Sequence, residues 1–433
     1  LAAESWDGKT YEEPARKVPI AQQADVVVCG AGPAGVAAAI AAARAGAKTC
    51  LLESNGCLGG VWTAGLLSWL LDCVNKPGLM KEIIARLDAR RATAHYGYSV
   101  GYDVEQMKLL LEELCVAAKV GVRLHTRLVG AVRDSQGRLR LAITESKSGR
   151  EAWAGKVFVD ASGDGDLAAR AGCGFDYGRP GTGQTQPMSM LAMLVGLKLD
   201  EVRPFVIALD RGKPTAKQRM LAEMQRAGVE PSYAQPSLFY IRDALYCLMA
   251  NHEYGVSAFD AGAISQATIR ARAEVHKLVN ALQALGGPWA GVQIVATAEH
   301  IGVREGRRVH GLYQVTTDDL VRGATHDDAV CRVTFGVDIH STDPKRTKAI
   351  MTDGVKARPY DIPYRALIAR DVKALLLAGR LISGDFVAHS SYRVTGNAVA
   401  MGEAAGTAAA LAAAGNVLPQ DVAWKDIAAR LAK

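Results

Sequence analysis

The stretch Gly30-Ala-Gly32-Pro-Ala-Gly35 constrains the fold more than any other part of the chain. It follows Asp25-Val-Val-Val-Cys29, an apolar run suited to a buried parallel strand. It precedes an alanine-rich segment, Val36 to Ala45, that reads as a helix ended by Gly46. A second apolar run, Lys48 to Leu52, closes at Glu53. The order is strand, helix, strand. Gly30 permits a tight turn out of the first strand, Gly32 lets backbone approach a pyrophosphate, and Gly35 lets the helix pack close to the sheet. Pro33 and Ala34 lie in the loop before the helix, whose free N–H groups and positive dipole end face the phosphates. Glu53, with Ser54 after it, puts a carboxylate where the ribose hydroxyls of an adenine dinucleotide would donate.

The remaining pattern is α/β. At 433 residues and 49% hydrophobic content the chain is too long for one small core and suits two interlocked domains. Residues 1–24, with two prolines and many charges, read as an N-terminal arm. Helices are expected over Leu79–Arg90 and Val104–Ala118. Strands at Val122–Thr126, Leu128–Arg133 and Leu139–Glu145 form a β-meander, turning at Asp134-Ser-Gln-Gly137. Another strand, Lys156–Asp160, runs into Ala161-Ser162-Gly163. Residues 186–344 change character, with scattered aromatics and long helical patterns such as Lys217–Gly228 and Ser265–Leu285. They read as an inserted α+β substrate or cap domain. The first pattern then resumes with a strand at Ala374–Ala378 and a small-residue helix at Ala398–Ala414. The expected architecture is a Rossmann-type nucleotide domain, parallel sheet plus meander, split into 25–185 and 345–433.

Composition excludes some alternatives. The net charge of +7 comes from 51 basic and 44 acidic residues mixed along the chain, with no basic stripe between aromatics, so nucleic acid is not an expected partner. The eight cysteines include no CxxC pair, so neither a zinc knuckle nor a dithiol centre is expected, and no metal site is proposed. No apolar run reaches the roughly 18–20 residues of a membrane span. A cytoplasmic location is the expectation. Export after removal of a leader is the alternative, because the sequence given starts at Leu1. A homo-oligomer is compatible with all of this.

Further segments accompany the glycine motif in order: Gly56-Cys-Leu-Gly59-Gly60 leading to Thr63-Ala-Gly65, Val157 to Asp166, Ile301 to Arg308, Leu377-Ala-Gly379-Arg380, and Ser391 to Asn397. Together the chain resembles the FAD-dependent oxidoreductases of the glutathione-reductase and fumarate-reductase-like group, over nearly its whole length outside 186–296. The resemblance implies an enzyme with FAD bound by Gly30–Gly35, Glu53, Ser54, Gly59, Gly60, Thr63, Ala161, Ser162, Gly163, Gly379 and Arg380, with Gly396, Asn397 and Ala398 opening a helix toward the flavin. Ser162 stands where the group usually has Thr. Arg380 stands where it often has an acid on the ribitol chain, and Asp385 is the candidate to take over that contact. The implied reaction is hydride transfer between a small organic substrate and flavin N5. With no second GxGxxG for a nicotinamide, the electron partner is open. A flavin monooxygenase is the alternative. A flavin-dependent RNA-modifying or biosynthetic enzyme and a non-catalytic FAD-binding protein are further alternatives.

Catalytic candidates cluster near the C-terminus. His389, Tyr392 and Arg393 share one loop, and by the resemblance Arg393 binds an anionic substrate or polarises a carbonyl. His389 is a candidate acid or base, against the alternative of a structural histidine. Alternation in Phe335–His340 puts Asp338 and His340 on one strand face, where they can orient each other. Arg304, Arg307 and Arg308, read as helical, are expected at the surface or in ion pairs, with the pocket as the alternative. Cys73 could approach the flavin ring as a reactive or covalently bound thiol.

Overall fold

The computed structural model describes residues 8–209, 212–343 and 350–431. At its centre lies a seven-stranded sheet. β1 (Ile20–Cys29) pairs in parallel with β2 (Thr49–Leu52) on one side and with the strand Gly149–Asp160 on the other. Their apolar residues have both faces covered, as a doubly wound sheet requires. Asp25–Cys29 is the C-terminal half of β1, which begins at Ile20, inside the segment read as an arm. Between β1 and β2 runs α1 (Pro33–Arg44), with Gly46 at φ 94° beyond its end.

Gly149–Asp160 spans 12 residues and changes partner along its length. Its first half pairs antiparallel with Leu139–Ser146, which pairs with Arg127–Arg133 to complete the meander. The strand expected at Val122–Thr126 as the first of the meander is instead Gly121–Arg123, paired in parallel with β2 at the edge of the sheet. Its last residues, Phe158 to Asp160, pair in parallel with Leu375–Leu377. The chain thus returns, after more than 200 residues, to the sheet it left. The Asp134 carboxylate holds the meander turn by accepting from the N–H groups of Gln136 and Arg138 at 3.0 Å each.

The helix Thr395–Gly415 lies across α1. Glycines set how close the two come. A Cβ on Gly402 would stand 2.0 Å from Ala34 O, and one on Gly406 2.0 Å from Ala38 O. This helix corrects one expectation, since its 21 residues are long and apolar enough for a membrane span. It is instead mostly buried in this core. Small side chains made it apolar all round, as a buried helix must be.

A second, antiparallel sheet runs in the order Ser237–Arg242, Leu245–Met249, Leu191–Val195, Gln293–Thr297. The helices Ala216–Arg226 and Ala261–Leu285 accompany it. Thr215 starts the first through a capping box with Gln218, and Asp260 caps the second. The three short strands Trp69–Leu71, Thr93–His95 and Ser99–Tyr102 lean on this second sheet, and the Tyr96 hydroxyl donates to Tyr240 O at 2.9 Å. The junction placed at 344/345 lies outside the described residues, as do residues 1–7 of the arm.

Two local expectations are corrected. Residues 301–308 form no helix; Arg308–Val309 is a short strand paired with Phe175–Asp176, so backbone bonds go across the chain rather than along it. Of Phe335–His340 only Ile339–His340 is a strand, paired antiparallel with Ile350–Met351.

Candidate active site

A cavity of about 1710 Å³ extends from the mouth of β1 to the second sheet. Gly30, Gly32, Pro33, Ala34, Glu53, Ser54, Gly60, Ala161, Ser162, Gly163, Gly379, Arg380 and Ala398 line it, together with Arg393 and His340. The glycines of the first loop divide as their spacing suggests. Gly30 turns at φ 93°, with a Cβ there 2.5 Å from Ala161 O. A Cβ on Gly35 would stand 1.8 Å from Gly30 O, so this glycine serves the packing of α1 on its strand. A Cβ on Gly32 would meet nothing within 4 Å and would project into open space.

Glu53 is 5% exposed. Its carboxylate accepts from Ala31 N–H at 2.6 Å and from Asn55 N–H at 2.8 Å, and Ser54 Oγ lies at 3.1 Å. These bonds fix its orientation and leave acceptor capacity for a ribose. Gly59 N–H donates to Ala31 O at 2.7 Å, tying the second glycine loop to the first. Asp160 holds the Ala161–Gly163 turn. It accepts from Ser162 N–H at 3.0 Å, Ser162 Oγ at 2.7 Å and Ala168 N–H at 2.8 Å. Burial pushes its carboxyl up to about 6 against these bonds. Arg380 donates to Asp164 Oδ1 at 2.8 Å, and its guanidinium occupies the space a Cβ on Gly163 would need.

Two helix N-termini open on this cavity. Gly32 caps α1 and Val394 caps Thr395–Gly415, neither with a side-chain acceptor. Thr395 Oγ1 and Asn397 Oδ1 are buried without a hydrogen-bond partner among the described residues. Open glycine backbone, a buried acid at the end of the next strand, and two unneutralised positive helix ends fit an anionic dinucleotide in an extended pose.

Several residues expected at the cofactor lie elsewhere. Thr63 is 1% exposed and its hydroxyl donates to Leu58 O at 2.6 Å. Asp385 caps the helix Phe386–Tyr392 by accepting from Ala388 N–H at 2.7 Å, and also accepts from the Thr317 hydroxyl at 2.8 Å. It is not among the residues that line the cavity. A Cβ on Gly396 would stand 2.2 Å from Asp72 O, so this position serves close backbone packing. Asn397 Nδ2 bonds Tyr392 O at 3.4 Å. Tyr392 donates to Ile382 O at 3.0 Å, and His389 is fully buried, both outside the cavity lining. Burial, with Arg308 and Arg393 beside it, pushes His389 well below the ordinary histidine range, which keeps the ring neutral. Cys73 is buried and outside the lining, with its thiol pushed up to about 11 by burial.

The far end of the cavity is polar. Arg393 Nη2 donates to Asp338 O at 2.8 Å and lies 3.8 Å from Asp338 Oδ2. His340 Nε2 lies 3.5 Å from the same oxygen. Asp338 is held well below the usual carboxylate range, against its burial, by His340 and the two arginines Arg393 and Arg304. Arg304, half-buried, donates to Pro187 O at 2.6 Å and Ser189 Oγ at 2.8 Å. Burial and Arg393 lower it to about 10. Arg308 is buried against Glu305 at 2.6 Å, and Arg307 bonds Asp164 O at 2.8 Å. Lys217 and Tyr233 also line this end. Neither belongs to a sequence motif; both come from the stretch between the motifs and are brought in by packing. Trp69, Tyr96 and Phe239 supply an apolar wall, with Trp69 4.7 Å from Tyr96 and 4.9 Å from Phe239 between ring centroids.

Residues 25–431 match the model of the FAD-dependent oxidoreductase family. The chain belongs to that family. It is an FAD-dependent oxidoreductase, and its cofactor is FAD. Among solved structures it is similar to a myxobacterial chondrochloren halogenase, an FAD-dependent enzyme, at 12% identity and TM-score 0.48, over 95% of this chain and 78% of that one. It is also similar to a geranylgeranyl bacteriochlorophyll reductase-like protein from Thermoplasma acidophilum, at 12% identity and TM-score 0.43, over 95% and 82%. A p-nitrophenol 4-monooxygenase from Pseudomonas putida aligns at 12% identity and TM-score 0.41, over 68% and 70%. No curated protein matches the chain.

Proposed function

We propose that this oxidoreductase transfers a hydride between flavin N5 and a small organic substrate with an apolar body and an anionic head. The observation that carries the reading is the continuity of one cavity, from Gly32 and Glu53 to Arg304, Asp338, His340 and Arg393. Bound FAD supplies a two-electron acceptor or donor. The protein's own part is to bind, orient and handle protons. Arg304 directs its hydrogen bonds at a carbonyl, a hydroxyl and, at 3.7 Å, a thioether. A guanidinium held this way, with Arg393 beside it, attracts an anionic head. The Trp69, Tyr96 and Phe239 rings shield the body of the substrate from water. The N-terminus of Thr395–Gly415, which lines the cavity, would place positive partial charge beside a reduced ring bound there, where negative charge accumulates.

Anaerobic mixing of the yellow holoprotein with organic acids and with their methyl esters tests this. The acids are expected to bleach the flavin and the esters not. Arg393→Ala is expected to keep its flavin and lose on the order of 100-fold in bleaching rate, as truncation of a buried charged contact does. Equal bleaching by acid and ester, or a full rate in Arg393→Ala, would contradict an anionic head held at this end.

A further inference from the structure

A hydrogen-bonded chain of side chains leaves the polar end of the cavity. His340 Nδ1 lies 3.2 Å from His252 Nε2, and His252 Nδ1 lies 3.2 Å from the Tyr254 hydroxyl. Tyr254 donates onward to Ser232 O at 3.1 Å. At the inner end His340 Nε2 faces Asp338 Oδ2 at 3.5 Å. His340 lines the cavity, while Tyr254 is half-buried and stands outside the lining. The Tyr233 ring holds the line by lying 4.1 Å from His252 and 5.6 Å from His340 between centroids. The Tyr233 hydroxyl is buried with no hydrogen-bond partner among the described residues, and Tyr233 lines the cavity.

Both imidazoles are neutral at neutral pH. Burial, then Arg304, pushes His340 down to about 4, although Asp338 opposes this. Burial, then Arg304 and His340, pushes His252 further down. Each neutral ring carries one N–H and one lone pair. Two rings and one phenol thus hold three protons for four gaps, which are Asp338–His340, His340–His252, His252–Tyr254 and Tyr254–Ser232. One gap is always without a proton, and the two ends pull opposite ways. Ser232 O draws the Tyr254 proton outward, and the Asp338 carboxylate draws the His340 proton inward.

We propose that His340, His252 and Tyr254 form a proton relay between the cavity and the protein surface, serving the proton of the substrate whose hydride passes to FAD. The proposal rests on the hydride-transfer reading above. With the empty gap at Asp338, His340 Nε2 carries a lone pair beside the substrate. A substrate C–OH would give its hydroxyl proton to Nε2 while its C–H bond broke and became the second bond of C=O, bound FAD supplying the acceptor for the hydride. His340 Nδ1 hands its proton to His252 Nε2, His252 Nδ1 hands its proton to the Tyr254 oxygen, and Tyr254 releases its own to solvent. One proton enters, one leaves, and no ring ends charged. Other charges facing the chain are fixed. Arg304, Arg393 and Lys217 stand on the cavity side, the last opposite Asp338. Near the outer end Glu253 is paired with Arg270 at 2.8 Å, and Glu274 accepts from Ser232 Oγ at 2.8 Å and Asn251 Nδ2 at 2.6 Å.

The test is NMR of the ring nitrogens in FAD-loaded protein labelled with ¹⁵N-histidine, at pH 7. The wild type is expected to show His340 and His252 as neutral mixtures of Nδ1–H and Nε2–H forms. Tyr254→Phe removes the outer proton and leaves Asp338 to set the polarity. It is expected to abolish the Nδ1–H form at both rings. His252→Phe, which keeps an aromatic ring against Tyr233, is expected to do the same at His340 and covers the case of a poorly folded first variant. Wild-type rings each fixed in one form that neither substitution changes would overturn the relay. Responsive tautomers without bleaching by any acid leave the relay standing and sink the substrate reading. Bleaching with unresponsive tautomers does the reverse.

Discussion

At the scale of single residues, the glycines carry the most definite expectations. Gly32 and Gly35 differ by three positions and have opposite surroundings. Gly32→Ala is expected to leave apo stability unchanged and to weaken FAD binding, because its methyl enters the open space of the cavity. Gly35→Ala puts a methyl 1.8 Å from Gly30 O and is expected to cost about 2 kcal/mol or more, as overpacking does. Urea unfolding of apoprotein and FAD titration separate the two. Glycine reasons are legible in a sequence because sterics around a turn are local. The positions of Thr63, Asp385 and Gly396 are not, because their partners are set by tertiary packing. Asp385 meets Thr317, 68 residues away in the chain. Tyr233, His252 and Lys217 carry no pattern at all and reach the site only through the second sheet and its helices.

At the scale of elements, close approach and a buried acid do the positioning. Gly406→Val would drive the helix Thr395–Gly415 off α1, because even a Cβ there stands 2.0 Å from Ala38 O. Since both helices present their N-termini to the cavity, FAD affinity and thermal stability are expected to fall together, as read by flavin release and Tm. Asp160 offers a pH signature. Its folded carboxyl titrates at about 6, above the 3.8 of an unperturbed group. A raised folded value means the folded state holds this proton more tightly. Its contribution is full below pH 3.8 and is lost as pH rises through 6, a change on the order of 3 kcal/mol. In Asp160→Asn, which stays neutral, the stability deficit relative to wild type is expected to be larger at pH 4 than at pH 7.5 by urea unfolding. A deficit that grows with pH would contradict a buried, proton-retaining Asp160. The helices and the hairpin of the meander were legible because apolar period and turn residues agree locally, whereas which strand joins that hairpin is a long-range choice that no local pattern carries. Arg304, Arg307 and Arg308, read as helical, are not, because Arg308 and Val309 pair as a strand with Phe175–Asp176, a partner over 130 residues away in the chain.

At the scale of the whole molecule, one cavity joins a nucleotide sheet to a second sheet. The α/β fold class and the family were legible because several glycine-rich turns recur in a fixed order. The polar far end was only half legible. Arg393 and His340 lie near motifs, whereas the company they keep depends on how the inserted stretch folds over them. We propose that the Gly30–Gly35 loop and Glu53 hold FAD along this cavity and that acid releases it. The most direct measurement is the flavin content of purified protein, before and after acid precipitation, in the wild type and in Gly32→Glu. The expected result is one FAD per chain, all released into the acid supernatant, and none in a folded Gly32→Glu. Folded wild-type protein that stays colourless with FAD supplied, or Gly32→Glu carrying a full complement, would contradict the account.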